Sequence, residues 1–101
     1  MQEQRGSPRL RVDLNVRWET LKSQGGGQIS DLSASGCFVL TVGDAGPREL
    51  TRLQITSAQQ VAVLWGQIVY VVNEIGFAVR FIFRDESDQT ALNALLQELQ
   101  G

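Results

Sequence analysis

Between Leu10 and Glu19 the chain alternates without a break: Leu10, Val12, Leu14, Val16 and Trp18 on one side, Arg11, Asp13, Asn15, Arg17 and Glu19 on the other. Successive side chains of an extended backbone point to opposite faces, so this segment predicts a half-buried strand. Gly25, Gly26 and Gly27 then offer permissive backbone for a turn, with a returning strand expected over Gln28 to Leu32. Cys37 to Thr41 is a short apolar run and reads as a third strand, followed by a surface loop over Val42 to Arg48, rich in glycine and containing Pro47. Leu53 and Ile55 alternate with Arg52, Gln54 and Thr56 in a weaker fourth strand. Val61 to Val72 and Gly76 to Phe83, joined through Asn73 to Ile75, predict a hairpin. The period then changes: Leu92, Leu95, Leu96 and Leu99 stand at helical spacing, behind Asp85, Glu86, Ser87 and Asp88, residues that suit a helix N-terminus.

About six short strands and one closing helix, with no β-α-β alternation, predict an all-β (mainly β) fold, an antiparallel barrel covered at an open end or side by a C-terminal α-helix. The expected organisation is an N-terminal arm over 1–9 and a single domain over 10–101, its helix at about 86–99. At 101 residues the chain closes one modest core. It has no apolar run long enough to span a bilayer and no apolar stretch at its start, so no membrane insertion and a cytoplasmic location are expected.

Charge and residue types narrow the chemistry. Cys37 is the only cysteine and histidine is absent, which removes intrachain disulfides, Cys/His zinc sites and His-dependent triads. Residues 1–17 hold four arginines against Glu3 and Asp13, whereas the rest of the chain sums to −4 within a net charge of −2. Such an acidic chain is a poor partner for DNA or RNA, and a small anionic ligand near the N-terminus fits better. The glycine run has no Lys-Ser/Thr behind it and no helix pattern after it, so it is not a phosphate-binding loop. Trp18 and Trp65 read as core residues and Cys37 as a small buried hydrophobe.

Two short motifs remain, Arg5-Gly-Ser-Pro-Arg9 before the first strand and Asp31-Leu-Ser-Ala-Ser-Gly36 between the second and third. With eight arginines, chance alone supplies roughly half an R-x-x-x-R match, so the first motif carries little weight alone. The second, D-x-S-x-x-G, is expected by chance only about 0.03 times at this composition. Read locally, Asp31 and Ser33 suit a turn in which their side chains cap backbone groups, and Gly36 a bulge.

Both motifs, in this order and two strands apart, resemble the PilZ domain family over essentially the whole chain. Arg9 to Val16 resembles the family's first strand and Gly76-Phe-Ala-Val-Arg-Phe81 its last. The resemblance implies a six-stranded antiparallel PilZ-type β-barrel with one C-terminal helix, and a non-enzymatic receptor for cyclic di-GMP. The implied ligand-binding residues are Arg5, Arg9, Asp31, Ser33 and Gly36, with no catalytic residue, no metal and no resident cofactor. Arginine offers a planar fork of donors for a phosphate or for the O6/N7 edge of guanine, and Asp31 can accept from the N1–H and N2 donors of that base. Gly36 allows close approach or a positive φ. Gly6 stands where many members carry a second arginine. Tyr70 is read as core, with stacking on a guanine as the alternative. The implied output is a ligand-induced ordering of the arm that presents a new surface to an unidentified downstream protein controlling motility, biofilm or polysaccharide. The alternative is an interaction adaptor of the same fold that binds cyclic di-GMP weakly or not at all.

Overall fold

The computed structural model describes residues 8–100. Arg5 and Gly6, and with them most of the expected arm, lie outside the described residues. The order of elements is β1 (Leu10–Glu19), β2 (Gln24–Leu32), β3 (Gly36–Leu40), β4 (Leu50–Thr56), β5 (Val61–Val72), β6 (Gly76–Ile82) and α1 (Glu86–Gln100). The strands close into an antiparallel barrel in the order β1-β2-β3-β6-β5-β4, with β4 pairing back to β1. Closure pairs every edge, so the sheet needs no protective device at a free strand.

The alternation of β1 is realised as expected: Leu14, Val16 and Trp18 are buried inside the barrel, while Arg11, Asp13, Asn15, Arg17 and Glu19 are exposed. Leu53 and Ile55 of β4, Leu64 and Ile68 of β5 and Phe77 and Val79 of β6 meet them in one core. Strand β4 begins earlier than its apolar pair suggests, because Thr51 also points inward. Its hydroxyl is satisfied by donating to the Glu19 carbonyl at 3.2 Å, so burial costs it little.

The three consecutive glycines do not form the expected turn. They lie inside β2, where Gly25, Gly26 and Gly27 pair with Trp18, Arg17 and Val16, and the turn falls on Thr20 to Ser23. The reason is the volume of Trp18. A Cβ on Gly25 would stand 2.8 Å from the indole, and one on Gly43 would overlap it. The indole N–H donates to Thr41 Oγ1 at 3.0 Å and its ring meets Phe77 edge-on at 5.3 Å, so glycines on two sides make the slot that Trp18 fills.

Helix α1 begins where Asp85 Oδ1 accepts the backbone N–H of Ser87 at 2.9 Å, an N-terminal cap. Leu92 and Leu95 are fully buried in the common core, each contributing roughly 1.5–3 kcal/mol of transfer free energy. Glu98 fastens the far end to the β4–β5 turn, accepting from Ser57 Oγ at 2.7 Å and Gln60 Nε2 at 2.9 Å. No helix among the described residues is long and apolar enough to cross a membrane.

Candidate functional site

The second motif lies where β2 turns into β3, and the placement of Asp31 depends on a bulge. Ile29 pairs with Val39 and Asp31 with Phe38, so β2 carries one residue more than β3 over this step. Simple alternation from the buried Ile29 would send Asp31 into the core. The extra residue puts both Ser30 and Asp31 on the outer side before Leu32 returns inward. A second irregularity, between Arg11 and Leu14, displaces β1 beside it. The carboxylate thereby meets the first motif: Arg9 donates from its guanidinium to Asp31 Oδ1 at 2.8 Å.

Ser33 and Gly36 occupy a different position. Ser33 is buried, and its Oγ accepts from the backbone N–H groups of Ser35 at 3.2 Å and Gly36 at 3.3 Å. Its backbone N–H donates to the Gly36 carbonyl at 2.9 Å, closing a tight turn. Gly36 faces β6, and a Cβ there would drive into the Val79 carbonyl. Of the two roles glycine can serve at this point, close approach is the one realised. Arg9 and Asp31 are therefore brought together at the surface, whereas Ser33 and Gly36 shape the backbone next to them.

Beneath the pair lies Cys37, which partners Leu32 across the strands and points into the barrel. Burial pushes its thiol well above the ordinary cysteine value, with the Asp31 charge adding to that shift and Arg9 opposing it. The thiolate is thus suppressed, as suits a packed hydrophobe.

Sequence reasoning missed a row of outer residues across the barrel. Arg11, Asp31, Phe38, Ala78 and Tyr70 are successive cross-strand partners on β1, β2, β3, β6 and β5. Tyr70, expected in the core, is 54% exposed. The cause is again a bulge, between Ile68 and Tyr70, which leaves Val69 and Tyr70 both outside. Phe38 and Tyr70 flank the buried Ala78 with ring centroids 6.4 Å apart, an aromatic shelf beside Asp31. Exposed Arg80 lies opposite Gly36 in the next row. Its outward parity is readable from Phe77, Val79 and Phe81, but the adjacency of β6 to β3 is a property of the closed topology. Trp65 is likewise half-buried on the outer side, with Arg84 over its ring at 5.6 Å. Among the described residues no group of three or more acidic, histidine or cysteine side chains is arranged to hold a metal.

The PilZ domain sequence profile matches residues 3–98. This chain belongs to the PilZ domain family. Among curated proteins none matches the sequence. Solved structures share the fold of this PilZ domain at low identity. The PilZ domain of CeSA from a cellulose-synthesizing bacterium superposes with a TM-score of 0.81 at 18% identity, over 94% of this chain and all of that one. The PilZ domain of YcgR from Escherichia coli, solved with c-di-GMP, gives 0.79 at 16% identity over 98% of this chain and 92% of that one. The Bacillus subtilis inhibitor of motility MotI/DgrA gives 0.73 at 16% identity, over 97% of this chain but only 51% of its own length.

Proposed function

We propose that this PilZ domain is a cyclic di-GMP receptor without catalytic activity, with Arg5, Arg9, Asp31, Ser33 and Gly36 as its binding residues. The observation that carries the reading is the meeting of Arg9 and Asp31 at 2.8 Å, residues from two separated motifs held on the outer side by bulged strands. It is supported by the fold shared with a domain solved with that dinucleotide. In the complex the guanidinium of Arg9, with that of Arg5, grips phosphate and the O6/N7 edge of guanine, while Asp31 accepts from the N1–H and N2 donors that adenine does not present together. Ser33 and Gly36 fix the turn against which the ligand rests, and the Phe38–Tyr70 shelf offers a base an aromatic surface. Binding draws the segment carrying Arg5 onto the barrel. The altered surface of arm and ligand is the signal read by a downstream protein in motility, biofilm or polysaccharide control.

Calorimetric titration with cyclic di-GMP tests this directly, since it reports affinity and ligand number together. Absence of heat and of a melting-temperature shift at ligand far above micromolar would overturn it in favour of a second reading, an adaptor of the same fold. That reading draws on the same ion pair: Arg9 and Asp31 already satisfy each other, and Gly6 supplies no further guanidinium.

A further inference from the structure

On the barrel wall opposite β2 and β3, an open groove of about 520 Å³ runs beside β4 and β5 under the β1–β2 turn. Its apolar surface comes from half-buried Trp65, exposed Leu50 and Leu21, which stands free on the turn. Three cations, Lys22, Arg48 and Arg52, line it against two carboxylates, Glu19 and Glu49. Glu19 lies 4.0 Å from Arg52. Glu49 turns inward, with Oε2 accepting from the Gly46 N–H at 3.1 Å and Oε1 buried without a hydrogen-bond partner among the described residues. Arg48 beside it holds a φ of 73°, a left-handed conformation unfavourable for a side chain of its size. The strain is maintained because Arg48 N–H donates to the Ile68 carbonyl at 2.7 Å and Ile68 N–H to the Glu49 carbonyl at 2.9 Å, clamping this stretch to β5. Apolar exposure and an excess of cations thus coincide on one wall.

We propose that this groove docks an extended segment of a partner protein carrying an apolar side chain between acidic ones. Trp65, Leu50 and Leu21 receive the apolar side chain. The excess of cations on the rim receives its acidic neighbours. A basic segment would set like charges against Lys22 and Arg48. A nucleic acid or anionic membrane would have to lie along Glu19 and Glu49 on a chain of net charge −2. None of Arg9, Asp31, Phe38 and Tyr70 lines the groove, so a partner can occupy it while the Arg9–Asp31 face is filled. The inference goes beyond the proposed receptor function and uses no contact with a nucleotide.

The test is to pan a random heptapeptide library against the full chain, then titrate synthesised winners while following the two indole N–H resonances. Winners should place Leu, Ile, Met or Phe between Asp or Glu. They should shift the Trp65 resonance and leave that of Trp18, fixed on Thr41, in place. Affinity should fall at least about tenfold in the double variant Lys22→Glu, Arg48→Glu and in Leu50→Asp, all exposed positions. Arg9→Ala should bind the peptides as the parent does, whatever it does to a dinucleotide, so failure of either proposal is visible separately. No enriched class, a basic or purely apolar class, indifference to both groove variants, or Trp65 shifts that follow protein concentration alone would each overturn the proposal.

Discussion

Asp31 Oδ1 lies 2.8 Å from the guanidinium of Arg9, although neither side chain is fully buried and the two residues are 22 positions apart. An exposed pair of this kind contributes about 0–1 kcal/mol to folding, so removing either partner should leave thermal stability nearly unchanged. Binding is expected to respond very differently. Arg9→Ala removes the proposed charge-assisted contact with the ligand and should cost roughly 2–4 kcal/mol, more than tenfold in affinity for cyclic di-GMP. Asp31→Ala should weaken affinity and also narrow the preference for guanine over adenine in a competing cyclic dinucleotide. Calorimetry on both variants reads this out, and an Arg9→Ala protein that binds like the parent would sink the site assignment.

Tyr70 gives a second binding prediction. Exposed and paired with Phe38 across Ala78, it supports little of the core. Tyr70→Ala should therefore melt near the parent temperature yet lose about 1–3 kcal/mol of dinucleotide binding if a base rests on the shelf. Equal affinities for the two proteins would restrict the site to the Asp31 end of the row.

Gly36 should behave as a structural residue first. Alanine there would press a methyl group into the Val79 carbonyl, and destabilisation of roughly 1–3 kcal/mol is expected. Gly26, whose Cβ would stand 3.9 Å from the Val16 carbonyl, provides the control, since alanine fits without displacement. Urea denaturation of the two variants should separate them clearly. A Gly36→Ala protein as stable as the Gly26→Ala one would show that β3 and β6 can move apart freely.

Acid should act on the helix. Asp88 accepts from the Arg84 guanidinium at 2.8 and 2.9 Å and from its backbone N–H at 2.9 Å, and these bonds hold its carboxyl at about 2. Asp85 is lowered by its bonds to Ser87, and Glu98 by those from Gln60 and Ser57. A folded-state value below the unfolded one gives stability that is present in full above the ordinary carboxylate range. It is lost as pH falls from about 5 toward 2. Melting temperature should fall steadily over that interval, and Asp88→Asn should start lower and show a shallower acid slope. Parallel slopes for parent and variant would mean that Asp88 does not carry this dependence.

Where one signal dominates, the sequence is easily read. Strand β1 is legible end to end because ten residues alternate without exception, and α1 because its leucines repeat at 3.6-residue spacing behind a capping aspartate. Strand β5 is legible as a strand but not in its faces. A nearly continuous apolar run gives no parity, so the outward Trp65 and Tyr70 could not be told from core. The glycines of β2 mislead because their task is to yield space to Trp18, a partner that only the folded register brings near. The second motif spans the β2–β3 turn. That Asp31 faces outward depends on a bulge that depends in turn on β3, and the groove beside β4 is assembled from three segments of the chain with no motif of its own.

The burial of Cys37 under the Arg9–Asp31 pair has a practical consequence. A thiol reagent can reach the single thiol only when the β2–β3 hairpin parts from its neighbours, so the rate of labelling is a stopwatch for that opening. The protein therefore carries a native chemical reporter directly beneath its candidate binding face. Whatever fastens Arg9 to this corner should slow the clock, and whatever pries the hairpin loose should speed it, with no foreign label introduced.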